Sequence, residues 1–442
     1  MKKVIFRLLS VACSLPARLL SLLVLAGGLP SVSFGQWSAV GPGTNNAVHV
    51  MFRDSIANML VAGGDFTTPT TRIGYWNGSA WSVLGPGLNT SVFCMTLYQG
   101  NLHVGGNFTS AGPTPVSKIA KWDGVNWSAL TTGINNNVYC MAEYQGELYV
   151  GGSFNTAGGN QSYNIAKWNG TTSTWTSFGN STSGAVRCML VWNGELYIGG
   201  DFTTIVNTAA NYIVKFNGST WTALGVGTDA RVAAMTVFNN KLVCGGFFNN
   251  AGGAPAIYIA EWNGSTWAPL GSGMNLDVKA LAVYGGELYA GGAFTMAGSV
   301  SANRIAKWNG SAWSQVSMQG MNNNVEGLAV YNGYLYAGGI FTLAGGVMAF
   351  NVAKWINPTG LSSTPDTDIS FLFDEQTSSL SIVGYGDQQT GTLDLYSVAG
   401  TLLLRRVFSR EMMLELSDLP SGLYLARIEF GGSVLTKKFV IR

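Results

Sequence analysis

Short runs of alternating apolar and polar residues recur along most of this chain, each bounded by Gly, Asn or Ser. One unit reads Val-x-x-Met-x-Val-Tyr, Gly-x-Leu-Tyr-Val-Gly-Gly-x-Phe, a polar loop, Ile-Ala-Lys-Trp-Asn-Gly and Ser-x-Trp-x-x-Leu-Gly. Such runs, rich in Val, Tyr, Trp and Ile between turn residues, are typical of β-strands. Each unit therefore predicts a four-stranded antiparallel meander. We expect its Asn-Gly link to be a tight hairpin turn with positive φ at both central residues.

The Gly-Gly pair that ends the second strand marks seven repeats, beginning at Gly63, Gly105, Gly151, Gly199, Gly245, Gly291 and Gly338. The steps of 42 to 48 residues between them fit the blade of a β-propeller. The seventh unit lacks a Trp after Trp355, whereas Trp37 precedes the first unit. We therefore predict an all-β, seven-bladed β-propeller over residues 36–356, closed by pairing of residues 36–40 with residues 351–355. A linear array would leave one unit incomplete and two edges exposed, and open edges promote aggregation.

The repeats resemble Kelch-type blades such as those of the galactose-oxidase central domain. The resemblance lies in the Gly-Gly that ends the second strand and in paired aromatic residues such as Trp122 and Trp127, and it covers all seven units. It implies a fold and no particular function, because one fold hosts many activities. Galactose-oxidase copper chemistry needs two His and two Tyr, one of them cross-linked to Cys. The two His of this chain, His49 and His103, are isolated from one another.

Charged residues are few overall, and their distribution is distinctive at the N-terminus. Charged residues make up 10% of the 442 residues and aromatic residues 12%, which excludes a disordered chain and argues against nucleic-acid binding. Residues 1–35 carry basic residues before an apolar run and predict a secretory signal peptide, cleaved after Ala26 or Gly35. A membrane anchor and a lipoprotein attached at Cys13 are the alternatives. We expect no membrane span in the mature chain, and we expect a monomer.

The C-terminal part has a different pattern. A Pro-, Ser- and Thr-rich linker at 357–368 precedes five or six alternating strands, which predict a small C-terminal β-sandwich over residues 369–442. Segments 416–424 and 436–441 resemble the type A sorting domain of the Bacteroidota type IX secretion system. That resemblance implies export through the periplasm to the cell surface or medium by the type IX machinery. It assigns the sorting motif to Leu419, Pro420, Gly422, Leu423, Tyr424, Lys437 and Lys438. A stalk or protein-docking sandwich is the alternative.

Candidate chemistry is sparse. His49 and His103 fall in positions that we interpret as framework positions. Cys94, Cys140 and Cys188 share one repeat position that other blades fill with small residues, which favours free buried thiols over disulfides or metal ligands. No Ser-His-Asp set or His cluster occurs. We therefore expect no catalytic residue, no metal and no organic cofactor.

One polar set repeats in the loop that enters each inner strand: Asn45, Asn89, Asn135, Ser183, Asp229, Asn275 and Asn322. These loops and the long second-to-third-strand loops should share one face, the default binding surface of a propeller. The first blade has a shorter loop there, which predicts a notch and a ligand near blades one and two. Changing Asn89 and Asn135 to Ala would then weaken binding. The alternative is that these side chains hold turns.

The leading functional hypothesis is a secreted or cell-surface, non-catalytic binding or adhesion protein with an extracellular protein or glycan as its ligand. A secreted hydrolase or oxidase that uses the propeller mouth is the first alternative. Glycosidases need paired carboxylates, whereas the 12 acids of the propeller stand mostly as single residues in repeat positions. A structural surface component is the second alternative.

Overall fold

The computed structural model describes residues 36–179, 181–356, 369–374, 379–384, 390–397, 401–409, 411–416, 418–430 and 433–441. The predicted signal peptide and linker lie outside these residues. Strands, turns and bends make up the described part, which contains no helix.

Residues 36–356 form seven four-stranded antiparallel sheets, here called blades 1 to 7. Blade 1 consists of Val48–Asp54, Met59–Gly64, Ile73–Trp76 and Trp81–Val83; blade 2 of Val92–Tyr98, Asn101–Gly106, Ile119–Trp122 and Trp127–Ala129; blade 3 of Val138–Tyr144, Glu147–Gly152, Ile165–Asn169 and Thr174–Ser177; blade 4 of Val186–Trp192, Glu195–Gly200, Ile213–Phe216 and Trp221–Ala223. Blade 5 consists of Val232–Phe238, Lys241–Gly246, Ile259–Trp262 and Trp267–Pro269; blade 6 of Val278–Tyr284, Glu287–Gly292, Ile305–Trp308 and Trp313–Gln315; blade 7 of Val325–Tyr331, Tyr334–Gly339, Val352–Ile356 and Gln36–Ala39.

The inner strands, the first of each blade, pack against one another in a ring, and the inner strand of blade 1 packs against that of blade 7. Gln36–Ala39 is the outer strand of blade 7, with Trp37 opposite Trp355 and Ser38 opposite Lys354. The predicted pairing of the N-terminal segment is therefore found. The architecture is that of a β-propeller, as the sequence predicted.

Close packing between blades explains the repeated Gly-Gly. A Cβ on the first Gly would lie about 2.5 Å from a Val Cγ1 of the next blade, as at Gly63 beside Val92. A Cβ on the second Gly would meet a backbone carbonyl, at 2.1 Å for Gly64 and Ala47. Real Cβ atoms are not found this close to other heavy atoms, so only Gly fits both positions. Gly338 meets Val48 of blade 1 in the same way, which continues the packing around the ring.

The two short links of each blade differ from expectation. In blades 2 to 7 the link between the first and second strands is the one with two positive φ angles, as at Gln145 (51°) and Gly146 (76°), whereas in blade 1 only Asn58 of this link has a positive φ. In the Trp-Asn-Gly-Ser link, Asn77 Oδ1 instead accepts the N–H groups of Ser79 and Ala80, and Gly78 has the positive φ. An Asn side chain that bonds to the backbone two residues later stabilises such a turn without a left-handed Asn. The predicted primed turn at Asn-Gly is therefore wrong.

The loop between the second and third strands contains a small two-stranded hairpin in blades 2 to 7. The hairpins pair Ser110–Ala111 with Thr114–Pro115, Thr156–Ala157 with Asn160–Gln161, Thr204–Ile205 with Thr208–Ala209, Asn250–Ala251 with Ala254–Pro255, Met296–Ala297 with Val300–Ser301, and Leu343–Ala344 with Val347–Met348. The shorter loop of blade 1 contains no such hairpin.

The tail contains seven described strands, not five or six: Ile369–Asp374, Ser379–Gly384, Thr390–Ser397, Leu402–Ser409, Glu411–Glu415, Gly422–Phe430 and Ser433–Ile441. The seven strands are connected by hydrogen bonds into one sheet. The fourth and fifth strands pair only at Ser409 and Glu411. Side chains on either side of this junction, such as Ile382 and Ile428, enter one common core. This packing is that expected of a sandwich.

Candidate functional site

The long-loop face is held together by the polar residues that the sequence singled out. Asn89 Oδ1 accepts the backbone N–H groups of Thr109 and Ser110 at 2.9 and 3.2 Å, and its amide donates to Thr109 Oγ1 at 2.9 Å. The corresponding bonds to backbone N–H groups recur at Asn45, Asn135, Ser183, Asp229, Asn275 and Asn322. The two kinds of long loop therefore lie on one face, as predicted. These seven side chains hold the loops, which confirms the turn interpretation. Contact between them and a ligand stays a prediction.

A different set of residues surrounds the mouth of the channel on this face. Every inner strand begins with a β-bulge, seen as a register shift such as that between Val48 and Val50. A bulged residue is left out of the ladder, and bulges are common next to functional sites. The seven bulge residues are His49, Phe93, Tyr139, Arg187, Ala233, Lys279 and Glu326. We call this set the mouth ring.

Four consecutive members of the mouth ring contact one another. The rings of His49 and Phe93 lie 5.6 Å apart between centroids, as do those of Phe93 and Tyr139. The guanidinium of Arg187 lies over the Tyr139 ring at 4.3 Å. Because all four side chains are only partly buried, they form a continuous arc that solvent can reach.

Charged partners complete the arc. Asp201 Oδ2 accepts hydrogen bonds from Arg187 Nε at 2.8 Å and from Arg187 Nη2 at 2.7 Å. Arg231 Nε donates to the other carboxylate oxygen, Oδ1. Lys279 pairs with Glu326 at 2.7 Å. Two guanidinium groups on one carboxylate leave a positive charge beside Tyr139, in blades 3 to 5. Arg187 places two N–H groups on one oxygen of Asp201 while Arg231 binds the other oxygen, and these charge-assisted hydrogen bonds hold the three side chains in place.

This environment changes the acidity of Tyr139. Burial raises its pKa, but hydrogen bonds with Ser153 and Asn137 and the positive charge of Arg187 outweigh that effect, so the pKa is lower than usual. The phenol is thus held in a polar network on one edge while its face is covered by Arg187.

His49 does not occupy a framework position, which corrects the sequence interpretation. Its Nε2 lies 2.9 Å from Asp65 Oδ2, and about a quarter of the side chain is exposed, 27%. Ser91 donates to the other oxygen of Asp65. His49 therefore belongs to the mouth ring.

His103 is a framework residue, as predicted. It is 2% exposed, its ring contacts that of Tyr98 edge-on at 5.4 Å, and burial lowers its pKa to about 4. A His with this pKa is uncharged at neutral pH, and here it fills a position that four of the other six blades give to Tyr.

The four cysteines of the described part, Cys94, Cys140, Cys188 and Cys244, are free and buried, and burial raises the pKa of each thiol. The prediction that Cys94, Cys140 and Cys188 are free buried thiols is thus confirmed. Sγ of Cys94 would lie 2.7 Å from a Cβ on Gly105, so the position is crowded and favours a small residue.

Several carboxylates of the repeat positions are ion-paired within their own blade. Glu147, Glu195 and Glu287 pair with Lys167, Lys215 and Lys307 of the neighbouring strand at 2.6 to 2.8 Å. They lie on the strands and not at the mouth. Within the described ranges, no group of three or more His, Cys, Asp or Glu is placed to hold a metal ion. The described residues also form no helix long and apolar enough to cross a membrane.

The sorting motif forms the turn before a long strand of the tail. Tyr424 Oη donates to the Pro420 carbonyl at 2.6 Å, and the Leu419 N–H donates to the Leu416 carbonyl at 3.0 Å. Gly422 begins the strand, Leu423 is partly exposed, and Leu419 packs against the core. Lys437 and Lys438 lie opposite Ala426 and Leu425 on the last strand.

Comparison with known families finds one match in the propeller and one in the tail. Residues 126–285 match the family described as Rax2 C-terminal beta propeller domain. Residues 377–442 match the family described as Secretion system C-terminal sorting domain. No curated protein matches the chain in sequence. A propeller with a sorting tail indicates a protein that the type IX machinery exports to the cell surface or the extracellular space.

Solved structures that align with the chain have low sequence identity to it. A computationally designed protein, Ika8, is 15% identical, covers 73% of this chain and 99% of its own, and has a TM-score of 0.44. A chain of a Mitotic Checkpoint Complex is 15% identical, with coverage of 79% and 98% and a TM-score of 0.47. A GH74 enzyme of Niastella koreensis is 13% identical, with coverage of 90% and 86% and a TM-score of 0.32.

Proposed function

We propose that this protein is a non-catalytic binding protein of the cell surface, a seven-bladed Kelch-like propeller whose ligand binds at the mouth ring. We further propose that residues 1–35 are a signal peptide for export through the periplasm of a Bacteroidota cell, and that the protein is a monomer without cofactors. The sorting tail supports the location, and the mouth ring supports the binding role.

The observation that carries the binding role is the contrast between the mouth ring and its neighbours. The residue just before each bulge is Val in all seven blades, from Val48 to Val325, whereas the bulge residue is different in every blade. Packing makes the same demand on each blade, so a position that differs in all seven is not fixed by packing. Variable residues on a repeated rigid scaffold are what a ligand site requires.

The chemistry of the mouth ring fits a glycan best. Phe93 and Tyr139 offer aromatic faces or edges to the C–H surface of a sugar ring. Arg187, together with Arg231 and Asp201 beside the mouth ring, offers fixed donors and acceptors for its hydroxyl groups. The propeller has 13 Lys and Arg against 12 Asp and Glu, so binding should depend weakly on salt.

The arrangement of His49 and Asp65 favours binding over hydrolysis. In a nucleophilic triad the Ser hydroxyl bonds to His, and His bonds to the carboxylate. Here both Ser91 and His49 bond to Asp65, so the Ser91 hydroxyl is bound to the carboxylate and not to the imidazole. A hydrolase or oxidase at the mouth and a structural surface component remain the competing proposals.

An array of glycans and extracellular-matrix proteins, probed with the secreted full chain, tests the proposal. We expect at least one glycan to bind, and we expect Tyr139→Ala and Arg187→Ala each to weaken that binding about tenfold or more. Val125→Ser is the control, because Val125 is exposed in a turn on the opposite face. A ligand that binds both mouth variants as well as the unchanged protein would reject the mouth ring as the site. Turnover of an array glycan would favour the hydrolase.

A further inference from the structure

Blade 1 lacks a structural element that the other six blades contain, and its absence leaves a notch next to blade 7. In blades 2 to 7 the hairpin of the long loop covers the loop that enters the blade from the preceding outer strand. One buried residue of each hairpin forms an isolated bridge with that entering loop: Leu88 with Ala111, Ile134 with Ala157, Thr182 with Ile205, Thr228 with Ala251, Met274 with Ala297, and Met321 with Ala344. The equivalent entering residue of blade 1, Thr44, has no such bridge in the described structure.

A backbone hydrogen bond is missing for the same reason. The hairpin residue after the bridge donates its N–H to a carbonyl of the entering loop, as Gly112 does to Gly87 at 2.8 Å and Gly298 to Gly273 at 2.7 Å. The matching acceptor in blade 1 is the carbonyl of Gly43, and no N–H of the described residues donates to it. Thr70 has the sequence position in blade 1 that Gly112 has in blade 2, but its N–H makes no bond to Gly43.

The place of the missing hairpin is a cavity of about 590 Å³. Its floor is the entering segment 42–47, and its walls include Thr68 and Pro69 of blade 1 and Ile340 and Phe350 of blade 7. Ile340 and Phe350 are 37% and 43% exposed. The lining contains no charged side chain. Cavities of 300 to 1,000 Å³ are the usual size of ligand sites.

We propose that this notch binds a neutral turn of a partner polypeptide containing Ala-Gly, which takes the place of the missing hairpin. The partner's Gly N–H would donate to the Gly43 carbonyl, and its Ala side chain would fill the place that Ala111, Ala157, Ala251, Ala297 and Ala344 fill in their own blades. The choice of Ala-Gly comes from the other blades. In five of their six hairpins, the residue that forms the bridge is Ala and the next residue is a Gly with positive φ. Addition of a strand-like segment to unpaired backbone groups is a common mode of peptide recognition.

The probe for the test is an acetylated and amidated peptide, Asn-Thr-Ala-Gly-Gly-Asn-Gln-Ser, the sequence of residues 155–162 with a fluorescent label. We expect the full chain to bind it with a Kd below about 1 mM. A peptide with N-methylglycine in place of its first Gly lacks the critical N–H, and we expect it to bind about fivefold or more weakly.

Two variants of the protein locate the site. Replacing residues 67–71 with the blade 3 loop, residues 155–163, should fill the notch and reduce peptide binding about tenfold or more. Phe350→Asn should also weaken binding, and it keeps the test valid if the loop exchange does not fold. Its matched control is Ile257→Asn, at the same position of blade 5, where the following blade has its own hairpin. Asn is tolerated at this position, since Asn211 and Asn303 occupy it in blades 4 and 6.

The results separate this proposal from the mouth-ring proposal. Tyr139→Ala should leave peptide binding unchanged, because Tyr139 is not part of the notch. Absence of binding up to about 1 mM would overturn the inference, as would equal binding by the loop exchange or equal loss in Phe350→Asn and Ile257→Asn.

Discussion

Replacing Trp37 with Ala tests whether the N-terminal strand closes the ring. Trp37 is 2% exposed, and its ring lies 5.2 Å from that of Trp355 on the neighbouring strand. A buried Trp removes about 200 Å² from water, which at about 25 cal/mol per Å² corresponds to about 5 kcal/mol. Measured Trp-to-Ala changes cost about 3–5 kcal/mol. We therefore expect Trp37→Ala to lower the free energy of unfolding by about 3–5 kcal/mol.

Urea unfolding followed by circular dichroism measures the loss. Trp81→Ala is the matched control, because Trp81 has the same position in blade 1 but is only half-buried, and we expect its loss to be smaller. The variants Trp37→Phe and Trp81→Phe give a second comparison of unfolding free energies. Trp81 Nε1 donates to the Val40 carbonyl at 3.0 Å, whereas Trp37 Nε1 has no partner in the described structure, so Phe should be better tolerated at 37. A loss below about 1 kcal/mol in Trp37→Ala would refute closure by this strand.

Other predictions concern the loops, pH, metals and export. Asn89→Ala and Asn135→Ala should each lower the free energy of unfolding by about 1 kcal/mol, measured by urea unfolding, and leave glycan binding unchanged; weaker binding with unchanged stability would instead make them ligand residues. Burial lowers the pKa of His103 to about 4, so the unfolded chain binds a proton below pH 6.5 that the folded chain does not. Stability should therefore fall by up to about 3 kcal/mol between pH 6.5 and pH 4. His103→Tyr should lose this part of the pH dependence, and an unchanged pH profile would show that His103 is not its source. Elemental analysis of the purified protein should find no stoichiometric metal, and one copper or calcium per chain would contradict this. Deletion of residues 361–442 should retain the protein in the periplasm, and the normal amount in the medium would count against the sorting role.

The sequence was sufficient to predict the closing strand because each blade needs four strands and each outer strand carries a Trp. The seventh unit ends at Trp355 without such a residue, and Trp37 supplies it. The small residues before the inner-strand Met or Leu were predicted for the same reason. Gly327, for example, would place a Cβ 3.0 Å from the Met51 backbone nitrogen. The closing strand and the small inner-strand residues could be predicted because every repeat has the same strand count and the same packing between blades.

The mouth ring was missed because a bulge leaves no mark in an alternating pattern. With strict alternation His49 reads as one more strand residue, whereas the register shift between Val48 and Val50 removes it from the ladder. A signal was nevertheless present: seven aligned Val residues, each followed by a residue that differs in every repeat. The notch was predicted from loop length, but near blades one and two. The structure places it between blades 7 and 1, because the short loop follows the entering segment on that side.

Hydrogen–deuterium exchange of the propeller, with and without a glycan identified on the array, tests the central claim most directly. We predict that bound glycan slows exchange at the starts of the inner strands, around Phe93, Tyr139 and Arg187, and at the loop that carries Asp201. Slower exchange confined to the opposite-face turns, around Val125 and its equivalents, with no change at the inner strands, would contradict binding at the mouth ring.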